Sequence, residues 1–328
     1  MLRIAAAVFF IATAGQAAAV TYTESFTSFY VLGDSTSDDG RLEALLPPPS
    51  FEGRFSNGRV APEFVSDLFE QNNLPTFNFA LGGATAADTN ENDAITPSPF
   101  RDAFGTFSRQ VTTLQSSGAA AVAGDKPLVS AAFGANDFSQ GVSAPGFNPI
   151  DVAIDVVSNI QTISMIPSFD NFLVVNLPDL SKLPANAGLS DFDKALLTGS
   201  VKLYNGALEA ALKGTAAFDP SFNFQVFDFF SAFDDVLSNA PSQGLNTNII
   251  CTPSIADPND TNICPTPQSA DGFFFVDAVH VSAKVQSQIA DILIAETEGL
   301  PAPVPLPAGL TLLLTSLGLV WLVGRRHS

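Results

Sequence analysis

The sequence predicts an α/β protein of three layers, helix over sheet over helix, built on a mostly parallel sheet of five strands. Short apolar runs alternate with segments of helical period along the chain, and such strand–helix–strand units place helices on both faces of a parallel sheet. Gly33-Asp34-Ser35, Gly82-Gly83 and Gly134-Ala135-Asn136-Asp137 each stand where a predicted strand ends, and ligands in these sheets bind beyond the strands' carboxyl ends. The 328 residues are 46% apolar and 14% charged, which supplies a core, and no internal repeat divides them.

The elements follow in order. Ser28–Leu32 is a buried strand. Val60–Glu70 carries Phe64 and Leu68 at helical spacing and leads into a second strand, Thr76–Leu81. Phe100–Leu114 reads as one helix, and Pro127–Phe133 as the third strand. Ile150–Ile166 places Ile150, Ile154, Val157 and Ile160 on one helical face, before a strand at Phe172–Leu177. Ser190 with Asp193 opens a helix over Asp191–Leu212, in which Phe192, Leu196, Leu203 and Leu208 recur. Phe222–Phe227 is the fifth strand, 240–271 a polar loop, and Ser282 opens a last helix to about Glu296.

Charge and histidine supply restrict the chemistry. A net charge of −19 excludes nucleic acid as a partner, because no basic surface replaces phosphate counterions. His327 is next to last, so imidazole chemistry in the folded body rests on His280. Two histidines and two cysteines exclude a multi-histidine or four-cysteine zinc site. Asp277 lies three residues before His280, where a carboxylate can fix the tautomer and stabilise the imidazolium. Ser35 follows a buried strand at a glycine turn that leaves its hydroxyl exposed. Candidate donors for a developing oxyanion are the Ser35 N–H, a backbone N–H at Gly83 and the Asn136 amide, although each glycine alone could serve a turn and Asn136 alone a helix cap.

Taken in order, FYVLGDSTSDDG, GRFSNGRVAPEF, NFALGGATAAD, AAFGANDF and VDAVHVS, spanning Phe29 to Ser282, resemble the GDSL, or SGNH, hydrolase family of esterases and lipases. The GRFSNGR segment resembles the branch of plant-type lipases and lecithinase/haemolysin-like phospholipases. The resemblance implies a flavodoxin-like SGNH fold in which Ser35 is the nucleophile, His280 the base and Asp277 its orienting acid. It also implies an oxyanion hole of Ser35, Gly83 and Asn136, with Gly83 preferred over Gly82 because the family's glycine falls five residues after the block's Asn, here Asn78. Thr36 stands where the family name has Leu. The absence of G-x-S-x-G argues against an α/β-hydrolase elbow. No metal or organic cofactor is expected. Asp88–Asp93 departs from a calcium loop at the required glycine and is read as a solvated loop. Phe51, Phe55 and Phe138, beside the motif blocks, are candidates to line an acyl pocket.

Both ends read as addresses. Residues 1–19 carry Arg3, an apolar run and Ala17-Ala18-Ala19, the pattern of a leader cut by signal peptidase. Residues 301–328 hold Pro301, Pro303, Pro305 and Pro307 as a spacer, an uncharged stretch from Leu306 to Gly324, and Arg325-Arg326. That tail resembles the VPLPA form of the PEP-CTERM sorting signal, which implies an exosortase partner and delivery to the envelope surface or medium of a Gram-negative bacterium. Loss of three arginines with the two ends takes the body, 20–300, from −19 to −22. Cys251 and Cys264 share a polar loop before His280, and in an exported chain they are expected to pair. The expected activity is hydrolysis of lipid or short-chain acyl esters. Deacetylation of a surface polysaccharide and non-catalytic surface binding are the alternatives.

Overall fold

A strand covered on both faces reads as an unbroken apolar run, and β1 (Ser28–Gly33) is buried at every position. The computed structural model describes residues 25–43, 45–141, 146–257 and 259–301. The segments read as a leader, 1–19, and as a sorting tail from Leu306 with its arginine pair lie outside them. No helix among the described residues is long and apolar enough to cross a membrane.

After β1 the chain forms α1 (Ala61–Gln71), β2 (Thr76–Asn78), α2 (Phe100–Phe104), α3 (Phe107–Ser116) and β3 (Pro127–Ala132). Then come α4 (Ala135–Gly141), α5 (Pro149–Ser164), β4 (Asn171–Val175), α6 (Asp191–Phe218), β5 (Asn223–Phe227) and α7 (Phe229–Asn239). The last elements are β6 (Asn246–Ile250), β7 (Phe273–Phe275) and α8 (Ala283–Glu296). Five strands form one parallel sheet in the order β2-β1-β3-β4-β5. The crossover from β1 to β2 runs one way across the sheet and all later ones run the other way. With right-handed connections, α1 therefore lies on one face and α3, α5 and α6 on the other. α8 packs against α1 and α7, completing the first layer, and α5 packs along α6 in the second. The order reverses between β1 and β3, so the crevice of this flavodoxin-type sheet opens at their carboxyl ends.

The three-layer, five-stranded α/β/α fold is the one expected. Its details correct several expectations. The helix predicted over Phe100–Leu114 is two: the chain breaks at Gly105–Thr106, where the Phe107 N–H turns to the Thr85 carbonyl at 2.9 Å and the Thr106 hydroxyl caps α3. β2 stops at Asn78 because that side chain accepts the Ala80 N–H and donates to the Ser37 carbonyl, both at 2.8 Å. α7 and the small parallel β6–β7 sheet lie where no element was expected. On α5, Val157 and Ile160 are buried as predicted, but Ile150 and Ile154 face outward; on α6 only Leu208 of the expected face is buried, while Phe192, Leu196 and Leu203 are exposed. The buried face of α6 is Leu197, Val201, Tyr204, Leu208 and Leu212.

Gln110, fully buried on α3, fixes the exit of β1. It accepts the Gly33 N–H at 2.9 Å and donates to the Gly33 and Phe104 carbonyls at 2.8 and 2.9 Å. Gln110→Leu keeps the volume and strips a buried N–H of its acceptor. The expected loss is about 1–3 kcal/mol, read from the midpoint of urea unfolding at unchanged slope.

Candidate active site

Gly33-Asp34-Ser35 leaves the carboxyl end of β1, and β7 leads through Val276 to Asp277 and His280. The turn after β7 is closed by the Asp277 carboxylate, whose Oδ1 accepts the N–H groups of Val279 and His280 at 2.8 and 2.6 Å. Its Oδ2 lies 2.8 Å from His280 Nδ1 and also accepts the Ile255 N–H at 3.0 Å. On the other side of the ring, His280 Nε2 lies 2.8 Å from Ser35 Oγ. Residues separated by 245 positions thus form one line of hydrogen bonds, carboxylate to imidazole to hydroxyl. In that line a hydroxyl proton can pass to the ring while the other nitrogen keeps its own.

Electrostatics follow the geometry. Burial of His280 disfavours its charged form, but the charge and hydrogen bond of Asp277, with the charge of Asp34, outweigh it and raise the imidazole pKa above its ordinary value. Burial likewise pushes the Asp277 carboxyl up, yet His280 and the backbone donors hold it below the usual carboxylate range. Asp34 has fewer such partners: burial raises it, against hydrogen bonds from the Thr36 N–H and hydroxyl at 2.9 and 2.8 Å. The Phe55 ring lies 5.1 Å from the imidazole.

The remaining predicted residues converge from the neighbouring strands. Gly83 has φ +84°, the left-handed region that favours glycine, and a Cβ there would meet the Asn92 amide at 2.8 Å. Gly82 is required for a different reason, since its Cβ would fall 1.9 Å from the Phe55 ring. Asn136 opens α4 at the end of β3; its amide donates to the Ala84 carbonyl at 2.9 Å and lies 3.5 Å from Asp34 Oδ2. The N–H groups of Ser35 and Gly83 donate to no acceptor among the described residues.

The residues that hold these loops carried no local signal. Asn90 and Asn92 donate to the Gly83 carbonyl at 2.9 and 3.0 Å, so the segment read as a solvated loop braces the glycine turn. Asp38 accepts the Gly82 N–H at 2.8 Å, and Asp137 accepts those of Ala86 and Ala87, each at 2.9 Å. Phe138 does not line a pocket: it is fully buried, edge-on to Phe147 and Tyr204. Phe55 stands at the site; Phe51 lies instead beneath the Arg54 guanidinium. Cys251 and Cys264 are joined by a disulfide, and their loop touches the His280 turn, the Cys251 N–H donating to Val276 at 3.1 Å and the Ala278 N–H to Pro253 at 3.2 Å.

The model of the GDSL-like Lipase/Acylhydrolase family matches residues 29–293. The chain belongs to that family. A curated relative, the phosphatidylcholine-sterol acyltransferase of Aeromonas hydrophila, is 28% identical over 233 residues, covering 68% of this chain and 64% of that protein. The chain thus spans less than two thirds of the relative's length. Among solved structures, an acetylxylan esterase from Geobacillus stearothermophilus is 13% identical at a TM-score of 0.46, covering 85% of this chain and 98% of that one. An alpha/beta hydrolase enzyme from the metagenome of Lake Arreo is 13% identical at 0.46, covering 86% and 99%.

The disulfide closes a loop of sequence separation 13, short enough that its removal is expected to lower stability by about 3 kcal/mol. Urea unfolding of Cys251→Ser/Cys264→Ser beside the oxidised wild type reads this directly.

Proposed function

We propose that this acylhydrolase is a serine esterase of acyl-lipid esters, with Ser35 as nucleophile, His280 as base and Asp277 as its orienting acid. The observation that carries the reading is the line Asp277 Oδ2–His280 Nδ1 and His280 Nε2–Ser35 Oγ, each 2.8 Å. Ser35 Oγ attacks the ester carbonyl carbon as its proton moves to His280 Nε2. The negative oxygen of the tetrahedral intermediate is stabilised by the N–H groups of Ser35 and Gly83 and by the Asn136 amide. When the bond to the alcohol breaks, His280 returns the proton to the leaving oxygen. Water then attacks the acyl-enzyme, giving its proton to His280, and Ser35 is released with the free acid. Asp277 accepts no proton; its charge stabilises the imidazolium.

The lipid class is supported by the name of the Aeromonas relative, a phosphatidylcholine-sterol acyltransferase. Export is part of the same proposal: signal peptidase removes 1–19, and an exosortase-type protease acts on the tail at the inner membrane. The Cys251–Cys264 disulfide supports an oxidising destination.

Wild type and Ser35→Ala are to be assayed on nitrophenyl esters from acetyl to palmitoyl, on phosphatidylcholine and on acetylated xylan. Turnover falling about 10³-fold or more in Ser35→Ala, with preference for long acyl chains, is expected. A folded wild type inactive on every ester refutes the enzyme, and preference for acetylated xylan replaces the lipid class. Asn136→Ala is expected to lower kcat about 10²-fold or more through one lost oxyanion donor.

The base must be neutral to act, so kcat/KM falls on the acid side as His280 protonates, at a pH above the ordinary imidazole value of about 6.5. Asp277→Asn removes the charge that raises His280 while leaving the burial that lowers it. The acid limb is expected to move to lower pH as kcat drops about 10⁴-fold; an unmoved limb removes Asp277 from the role.

A further inference from the structure

α6 is 28 residues long and α5 beside it is 16. Their register is set near one end by Gln161 Nε2, which donates to Thr215 Oγ1 at 2.8 Å. Counting back equally from that pair, the first residue of α5, Pro149, is level with Leu203. Two contacts with the sheet agree. The Tyr204 hydroxyl donates to the Phe133 carbonyl at 2.8 Å, just beyond β3. Asn205 exchanges two hydrogen bonds with the Leu177 backbone, just beyond β4, both at 2.9 Å. Residues 203–205 therefore stand at the carboxyl edge of the sheet. The dozen residues from Asp191 to Lys202, roughly 18 Å of helix, project past it on the side of Ser35 and His280. The loop leading into this helix is tied to the site, because the Ala185 N–H donates at 2.8 Å to the carbonyl of Ala278, between Asp277 and His280.

The projecting helix turns Leu197 and Val201 inward. Its outer side carries Phe192 and Leu196, exposed at 70% and 55%, and the same side continues to Leu203 at the sheet edge, exposed at 49%. Gly199 lies between them, with no atom within 4 Å of where a Cβ would stand. These positions, spaced by four, three and four, form one apolar stripe on the surface.

Charge selects the occupant. Residues 189–203 contain Asp191, Asp193, Lys194 and Lys202, a balance of zero in a chain of −19. A second copy pressed against this stripe would bring two strongly acidic bodies together, and an anionic membrane is repelled for the same reason. A surface of zwitterionic headgroups carries no net charge to repel the acidic body, and an amphipathic helix binds it through the apolar area it buries.

We propose that the projecting half of α6 docks on a zwitterionic lipid surface and holds the mouth of the site against it. This inference rests on the acyl-lipid reading above and names how that substrate is reached. The stripe enters the headgroup layer, at the end of the sheet where Ser35 lies.

The test uses the full chain and the double variant Phe192→Ser/Leu196→Ser. Turnover of 4-nitrophenyl acetate in solution is expected to stay near the wild-type value. Turnover of phosphatidylcholine in vesicles is expected to fall about tenfold or more. In the Ser35→Ala background, co-sedimentation with phosphatidylcholine vesicles is expected to drop on adding the two stripe substitutions. Equal vesicle turnover and equal co-sedimentation with and without the substitutions overturn the proposal, and assign any membrane attachment to another part of the chain. Equal loss on both substrates also overturns it, placing the stripe in the site itself. A change from dimer to monomer in sedimentation velocity overturns it in favour of a second copy. If the wild type hydrolyses neither ester, the enzymatic reading fails, and the co-sedimentation result alone decides whether the stripe docks on lipid.

Discussion

The buried carboxylate of Asp277 is the constraint on which the site depends. It is 3% exposed, and an ionised carboxylate removed from water is strongly unfavourable unless its oxygens are matched by donors. Each oxygen has two. Val279 and His280 supply backbone N–H groups from its own turn; Ile255 supplies a third from the disulfide-bonded loop; the His280 ring supplies the fourth. The same four contacts close the turn, seat the loop and fix the imidazole plane so that Nε2 meets Ser35. Burial and pairing oppose each other on the ring. A ring desolvated without Asp277 would accept a proton poorly, whereas excessive stabilisation would keep it protonated and useless as a base.

Other aspartates do similar work at neighbouring strand ends. Asp38 and Asp137 use their carboxylates to bind backbone N–H groups of the loop after β2, and Asp34 binds the N–H and hydroxyl of Thr36. Burial raises the pKa of all three, as expected for anions matched by fewer donors than Asp277 has. Asp38, in the loop after β1, and Asp137, after β3, thus join their strands' exits to the loop after β2. The same contacts hold Gly83 and Asn136, on segments from different strands, close together, with the Asn136 amide donating to the carbonyl of Ala84. Thr36, the departure from the family name, fits the same account, because its hydroxyl adds a donor to Asp34 that leucine lacks.

What the sequence made legible was the local part of this design. Buried strands ending at GDS, GG and GAND are contiguous patterns, and Asp277 with His280 forms a single short turn. Gln110 gripping Gly33, and Asn90 with Asn92 gripping Gly83, are contacts between distant segments that leave no period or spacing to read. The break at Gly105–Thr106 was hidden because apolar residues on both sides fit one helical period; it is set by Thr85, a residue from another loop. α7 and the β6–β7 pair escaped notice because Phe-rich and Asn/Ile-rich stretches take their form from the core they pack against.

The misreading of α5 and α6 has a physical meaning of its own. Periodicity reports that a helix has an apolar stripe, and the sheet decides which stripe it covers. On α6 there are two. One, through Val201, Tyr204 and Leu208, is buried, and Tyr204 reaches the end of β3. The other, through Phe192, Leu196 and Leu203, lies on the opposite side of the helix, away from the sheet, and is exposed. An apolar stripe kept in water gains nothing from the hydrophobic effect in the isolated chain, so folding alone gives no reason for these residue types. Their helix begins beyond the carboxyl edge of the sheet, the edge at which Ser35 and His280 meet, and the loop leading into it is joined through Ala185 to the turn that carries His280.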